Sequence, residues 1–303
     1  MNTSDYFRAL QAGRVTIVVD DPAAASPWLD LGEVTTLAAY DLLREHDRPA
    51  LVVASRLETV GRLHETWEDS PCEFTYLSLA RHDPSEAAAR HAAALLRALD
   101  GPAALTLRAE RYDALLSSDV LEVAGSLRVR LGGELEIANM SDEVRPHWLQ
   151  STTEFLEASI VNLERDGSSF TADGVFAFAG LAYLCNSADV HGRHGDALRR
   201  LLRAAAGGDN RLELADNRVE RVVVGGVDVT AAFSALFADD ERGATVLELG
   251  LGCAGLAPDW TIDSPLHKGS RGLFLGVGTG HRGPHVDFVA PEASVRFQEP
   301  PAA

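Results

Sequence analysis

Two short stretches near the C-terminal end of the 303-residue chain hold residue types that can do chemistry together. In Thr245-Val-Leu-Glu-Leu-Gly-Leu-Gly252 a single carboxylate, Glu248, sits inside an otherwise apolar run that reads as a strand. A buried carboxylate with no partner is costly, or else stays protonated, so Glu248 needs a companion from elsewhere in the chain. In Pro284-His-Val-Asp-Phe-Val289 the strand alternation puts His285 and Asp287 on one face, with Val286 and Phe288 on the other. A Glu, a His and an Asp that converge form either an oxygen/nitrogen metal site or a metal-free hydrogen-bonded cluster, and spacing alone leaves both open.

Other motifs carry less. His191 and His194 have suggestive spacing in Asp189-Val-His-Gly-Arg-His-Gly195, but no nearby acid or cysteine pair completes a site, so the segment reads as a polar loop. The chain has no Gly-x-Ser-x-Gly elbow, and none of Cys72, Cys185 and Cys253 lies beside a helix start or an obvious base. Gly276, Gly278, Gly280 and Gly283 read as close backbone packing rather than an anion cradle, because no Lys-Ser/Thr follows them. Trp148, Trp260 and Phe274 are candidates for an apolar pocket, with ordinary core burial as the simpler reading. Asp20-Asp21-Pro22 reads as a turn, with a polar site at the end of a strand as the other reading.

These residues need a scaffold, and the chain reads as two architectures. Strands at 14–19, 49–54, 73–79 and 103–107 alternate with helices at 33–46, 56–68 and 85–99, the last capped by Ser85. That rhythm implies an α/β region with a mainly parallel sheet. It lacks the glycine fingerprint of a dinucleotide site. Beyond residue 125 the pattern changes to short strands and glycines, at 126–129, 133–138, 159–163, 211–214 and 218–224. Helices are expected at 195–206 and 230–238. The second region, 126–303, is therefore α+β with a mainly antiparallel sheet, and only the tail 300–303 reads as disordered.

The stretch Glu248-Leu-Gly-Leu-Gly252, the segment Gly272-Leu-Phe-Leu-Gly-Val-Gly278 and the final Pro284-His-Val-Asp-Phe-Val289 resemble, in order and spacing, the successive C-terminal motifs of M29 metallo-aminopeptidases. The segment Arg211-Leu-Glu-Leu-Ala-Asp-Asn-Arg-Val-Glu-Arg-Val222 is similar to the one preceding those motifs. The likeness is specific over about residues 165–295 and architectural before that. It implies an M29-like fold, a homodimer, and a two-metal site whose bound water attacks a peptide bond. Glu248, His285 and Asp287 match three of the family's ligands. Phe274 stands where the resemblance expects a histidine ligand, and Gly174 where it expects a glutamate. No tyrosine occupies the region of Gly280 and His281 where the family's transition-state tyrosine falls. His281 is a candidate replacement ligand for a single zinc or other divalent metal, with His267 and Cys253 behind it.

A site that keeps its groove and loses its metals binds without turnover. The resemblance thus implies a non-catalytic peptide-binding protein, serving a precursor peptide in a natural-product (RiPP) pathway, with no metal cofactor. A mononuclear aminopeptidase or hydrolase and a structural subunit are the alternatives. Composition narrows partners further. A formal net charge of −18 repels a phosphate backbone, so nucleic acid is not expected. No apolar run is long enough for a membrane span and no signal-like segment opens the chain, so a cytoplasmic protein with three reduced thiols is expected.

Overall fold

The structure, a computed structural model, describes residues 1–123, 126–164 and 167–298. Helix α1 (Thr3–Gln11) starts where the Asn2 side chain accepts the Ser4 N–H, and it buries Tyr6, Phe7 and Leu10. Strands β1 (Thr16–Val19), β2 (Val34–Thr36), β3 (Ala50–Ala54) and β4 (Phe74–Ser78) form a four-stranded sheet in the order β2-β1-β3-β4, parallel throughout. Every residue of β3 and β4 is buried, as a parallel sheet covered on both faces requires. Helix α2 (Leu57–Thr66) follows β3, and α3 (Glu86–Ala98) begins where the Ser85 hydroxyl accepts the Ala88 N–H.

Two expectations for this region fail. No helix spans 33–46: the β-branched Val34, Thr35 and Thr36 pair with β1 as β2, because their side chains lose rotamer freedom in a helix. The apolar spacing that suggested a helix is still used. Leu37, Tyr40 and Leu42 are buried in a small core with Val52 and Phe74, but turns deliver them there. The strand expected at 103–107 is the first half of helix α4 (Gly101–Leu116). Asp100 accepts the Ala103 N–H, Pro102 sits in the first turn, and the Ala-Ala-Leu run favours helix, so capping decides the outcome.

Among the described residues, the strands that follow β4 pair antiparallel. In chain order the strands are β5 (Val120–Val123), β6 (Leu127–Leu131), β7 (Glu136–Ile137), β8 (Glu157–Val161), β9 (Phe170–Ala177), β10 (Gly180–Leu184), β11 (Arg211–Ala215), β12 (Arg218–Val224), β13 (Val227–Asp228), β14 (Val246–Gly252), β15 (Gly272–Val277), β16 (His285–Pro291) and β17 (Val295–Gln298). Six make one sheet, β10-β16-β15-β14-β8-β7, and seven make another, β13-β12-β11-β9-β6-β5-β17. The two share a core, in which Leu249, Leu275 and Phe288 of the first join Val129, Phe176 and Leu212 of the second. Helix α5 (Ala188–Ala205) and α6 (Thr230–Ser234) pack onto this core. Helix α5 starts at Ala188, not at Gly195, because Ser187 caps it; His191 and His194 therefore lie on a helix rather than in a loop.

The mixed architecture of a parallel sheet followed by antiparallel sheets is thus present. The division expected near residue 125 lies outside the described residues, as does the tail 300–303. The preceding β5 already belongs to the seven-stranded antiparallel sheet. Among the described residues no helix is long and apolar enough to cross a membrane.

Candidate functional site

Register places the chemistry on one face of the six-stranded sheet. Glu248 pairs with Gly276, and Gly276 with Asp287, so the two acids flank a residue with no side chain. That glycine is required: a Cβ there would lie 2.7 Å from the His285 ring and 3.0 Å from the Glu248 Cβ. The opposite face of the same strands presents Leu249, Leu275, Val286 and Phe288 to the shared core. Strict alternation therefore separates a charged face from an apolar one.

His285 is held at both ring nitrogens. Its Nδ1 lies 2.6 Å from the Gly278 carbonyl and donates to it, which turns Nε2 toward Asp287 Oδ1 at 2.9 Å and Glu248 Oε2 at 3.4 Å. Burial opposes a charged imidazole, but Asp287 and Glu248 outweigh it and raise its pKa to about 10. The other oxygen of Glu248 faces Lys268 Nζ at 3.3 Å, and Lys268 also reaches Glu157 Oε1 at 3.0 Å. Burial pushes the Glu248 carboxyl up, yet Lys268 and His285 together hold it down at about 2. Glu157 lacks the imidazole, so burial wins there and lifts its pKa to about 8 despite Lys268. Lys268 is held well above its ordinary range, because Glu157, Glu248 and Asp287 overcome its own burial.

The donor atoms of Glu248, His285 and Asp287 lie within 4.8 Å of one another, close enough to share an ion. In this arrangement a cation already contacts one of these donors, because Lys268 Nζ stands 3.3 Å from Glu248 Oε1, while His285 Nε2 is turned to Asp287 and Glu248. Phe274 lies on the same face and is fully buried, with its ring centroid 5.2 Å from Lys268 Nζ. Gly250, its cross-strand neighbour, makes room for that ring: a Cβ there would lie 2.1 Å from it.

Other expected residues lie elsewhere. Gly174 is in β9, in the seven-stranded sheet, with φ +113° and the Ser126 carbonyl 2.2 Å from where its Cβ would stand. No side chain fits there, so the position does not serve the Glu248 cluster. Its neighbour Asp173 pairs with Arg130 at 3.1 Å. His281 is exposed, and its N–H bonds to the Thr279 hydroxyl within the loop. His267 is buried against His91, with Nε2 to Nε2 at 3.0 Å, and burial depresses its pKa to about 3. Burial lifts the Cys253 thiol to about 12, which removes it as a nucleophile. Asp21 takes the turn role by accepting the Ala23 N–H, while Asp20 accepts the N–H groups of Ser55 and Arg56 at the end of β3. The glycines at 276 and 278 are explained by close packing, Gly278 lying against Phe237 and the Pro284 carbonyl.

Residues the sequence did not single out complete the site. Lys268 comes from the short turn Pro265–Gly269, which is capped by the Ser264 hydroxyl. Glu157 starts β8, where it pairs with Gly252. Beside them lies a cavity of about 120 Å³ that reaches the end of β4. Tyr76 and Ser78 of β4 and Arg81 and His82 of the turn after it line one side, Ser151, Thr153 and Glu154 come from the turn before β8, Lys268 from its turn, and Asp287 from the charged face. Ser78 Oγ, Arg81 Nε and Asp287 Oδ2 are buried there with no hydrogen-bond partner among the described residues. Burial raises Glu154 to about 7. Trp148, Trp260 and Phe274 do not line this cavity. Trp148 stacks under Arg145 at the surface, and Trp260 packs on Gly180 and His267.

The family model for the crocagin biosynthetic protein CgnE/B matches residues 12–298, nearly the whole chain and both halves of the site. The chain belongs to the CgnE/B family. Its place is thus in natural-product biosynthesis. No curated protein matches the sequence. Among solved structures, a 2,5-dihydroxypyridine dioxygenase from Pseudomonas putida KT2440 superposes with a TM-score of 0.50 at 12% identity, over 97% of this chain and 91% of the other. At that identity the likeness concerns the fold alone.

Proposed function

We propose that this CgnE/B protein is a non-catalytic peptide-binding protein that recognises a precursor peptide in its biosynthetic pathway. The reading descends from the M29-like motifs and from membership of a crocagin biosynthetic family. The observation that carries it is the cavity at the end of β4, where three lining residues keep buried polar atoms without a partner among the described residues. Unmet buried polar groups favour a ligand that brings both donors and acceptors, and a peptide backbone does so. Carboxyl ends of parallel strands are where open α/β sheets bind ligands. Turnover has little support: Phe274 cannot coordinate, and the buried Cys185 and Cys253 thiols are held near 12. The model of a homodimer with no metal cofactor belongs to the same proposal.

Fluorescence anisotropy with a fluorescein-labelled precursor peptide of the same pathway tests it, with a scrambled peptide as control. Saturable binding that weakens on Ser78→Leu or Arg81→Ala supports the reading. Hydrolysis of aminoacyl substrates by the purified protein, abolished by Glu248→Ala, would replace it with the mononuclear hydrolase. No affinity for either peptide would remove the peptide-binding assignment.

A further inference from the structure

We infer that Lys268 is the resident cation of the Glu248–His285–Asp287 cluster, standing where a divalent metal would otherwise sit, and that removing it turns the cluster into a single-metal binding site. The inference deepens the non-catalytic part of the function proposed above and is independent of peptide binding. A chain that takes metal only after losing Lys268, yet ignores every peptide, keeps this inference and loses the other.

Geometry is the ground for it. His285 is oriented as a metal-binding imidazole is, with Nδ1 fixed on a backbone carbonyl and Nε2 turned to the acids. Three donors lie within 4.8 Å of one another, and Glu157, 3.0 Å from the same ammonium, adds a third acid. Asp287 Oδ2 and Glu157 Oε2 are buried without partners among the described residues, so the oxygens around the ammonium retain unused acceptor capacity. Gly276 keeps the space between the acids clear of side chain.

Lys268 and Phe274 account for each other. The ammonium lies 5.2 Å from the Phe274 ring centroid, a cation–π distance, while contacting Glu157 and Glu248. A ring that cannot ligate a metal can still receive a lysine. Because the lysine is tethered to the chain, its charge occupies the site at any metal concentration, and a free ion must displace it and compete for the same Glu248 oxygens. Removing the side chain leaves Glu248, His285, Asp287 and Glu157, an oxygen/nitrogen set that suits zinc or manganese.

The test uses the full chain as wild type, Lys268→Arg, Lys268→Met and Lys268→Met/Glu157→Gln. Each is equilibrated with zinc chloride, desalted, assayed for zinc by elemental analysis, and melted with and without EDTA. Wild type and Lys268→Arg are expected to retain no stoichiometric zinc. Lys268→Met is expected to retain about one zinc per chain, with a rise in Tm that EDTA reverses and that Glu248→Gln in the same background abolishes. The double variant removes the second acid that the ammonium neutralises, so it tests the site if Lys268→Met alone does not fold. Stoichiometric zinc in the wild type overturns the inference. So does a folded Lys268 variant that stays metal-free, or the failure of both variants to fold with zinc present, since zinc would then be unable to replace the ammonium.

Discussion

The two antiparallel sheets place acids beside a strand glycine in two different settings. In the six-stranded sheet Glu248 and Asp287 flank Gly276, and the acids face inward among His285, Lys268 and Glu157. In the seven-stranded sheet Asp173 adjoins Gly174 and faces outward to Arg130, with both side chains more than a third exposed. Water screens the second pair, so geometry there carries little energy. At the first, the side chains are at most 16% exposed, so each charge needs a partner, and the partners shift one another's proton affinities strongly. Residue type does not separate the two settings. Burial does.

That contrast can be broken by substitution, most strongly at Lys268. Lys268→Met in metal-free buffer leaves Glu157 and Glu248 without their ammonium and should cost about 3–5 kcal/mol, read by urea denaturation. A loss under about 1 kcal/mol would place the cluster in the same class as the Arg130–Asp173 pair. Gly250→Ala comes next. Its Cβ would enter the Phe274 ring, and overpacking of this kind costs about 1–3 kcal/mol, whereas Gly192→Ala on α5 meets nothing within 4 Å and should stabilise by up to about 1 kcal/mol. Melting the two variants side by side checks the sign as well as the size.

His267 sharpens the comparison from within one turn, because it adjoins Lys268 and is kept neutral while the lysine is kept charged. Its folded pKa of about 3 lies below the ordinary 6.5, so the unfolded chain binds the extra proton between those values. The stability it contributes is complete above pH 6.5 and is lost as pH falls toward 3, at roughly 1.4 kcal/mol per pH unit. His267→Gln should remove that part of the slope in a series of denaturation curves from pH 7 to pH 4; an unchanged slope would show that this imidazole is not held neutral. The smallest effect belongs to the surface: Asp173→Asn should change stability by no more than about 1 kcal/mol and respond to salt.

Much of this was legible in the chain itself. Alternation in Pro284–Val289 put His285 and Asp287 on one face without any knowledge of neighbours, because the side-chain period of a strand is fixed. Glu248 in an apolar run announced that a partner must exist. The alternation of short strand-like runs with helical stretches in the first half signalled a parallel sheet, and the short glycine-rich strands after residue 125 signalled antiparallel ones. Local signals were also misread where capping ruled. Asp100 and Pro102 open α4, and Ser187 opens α5, before the patterns that suggested other starts.

What the sequence could not determine was the partner itself. Lys268 sits in a polar turn, His267-Lys268-Gly269, where a lysine ordinarily reads as solvated, and nothing in its spacing points to Glu248 or to Glu157. Only tertiary structure folds that turn over the charged face, aligns Gly276 between the acids, and brings the parallel sheet's β4 end to the same cavity. Strand periodicity is a local property of the backbone, so the chain states it outright. Burial and charge pairing depend on which distant segments exclude water together, and that is decided only when the sheets and the turn meet.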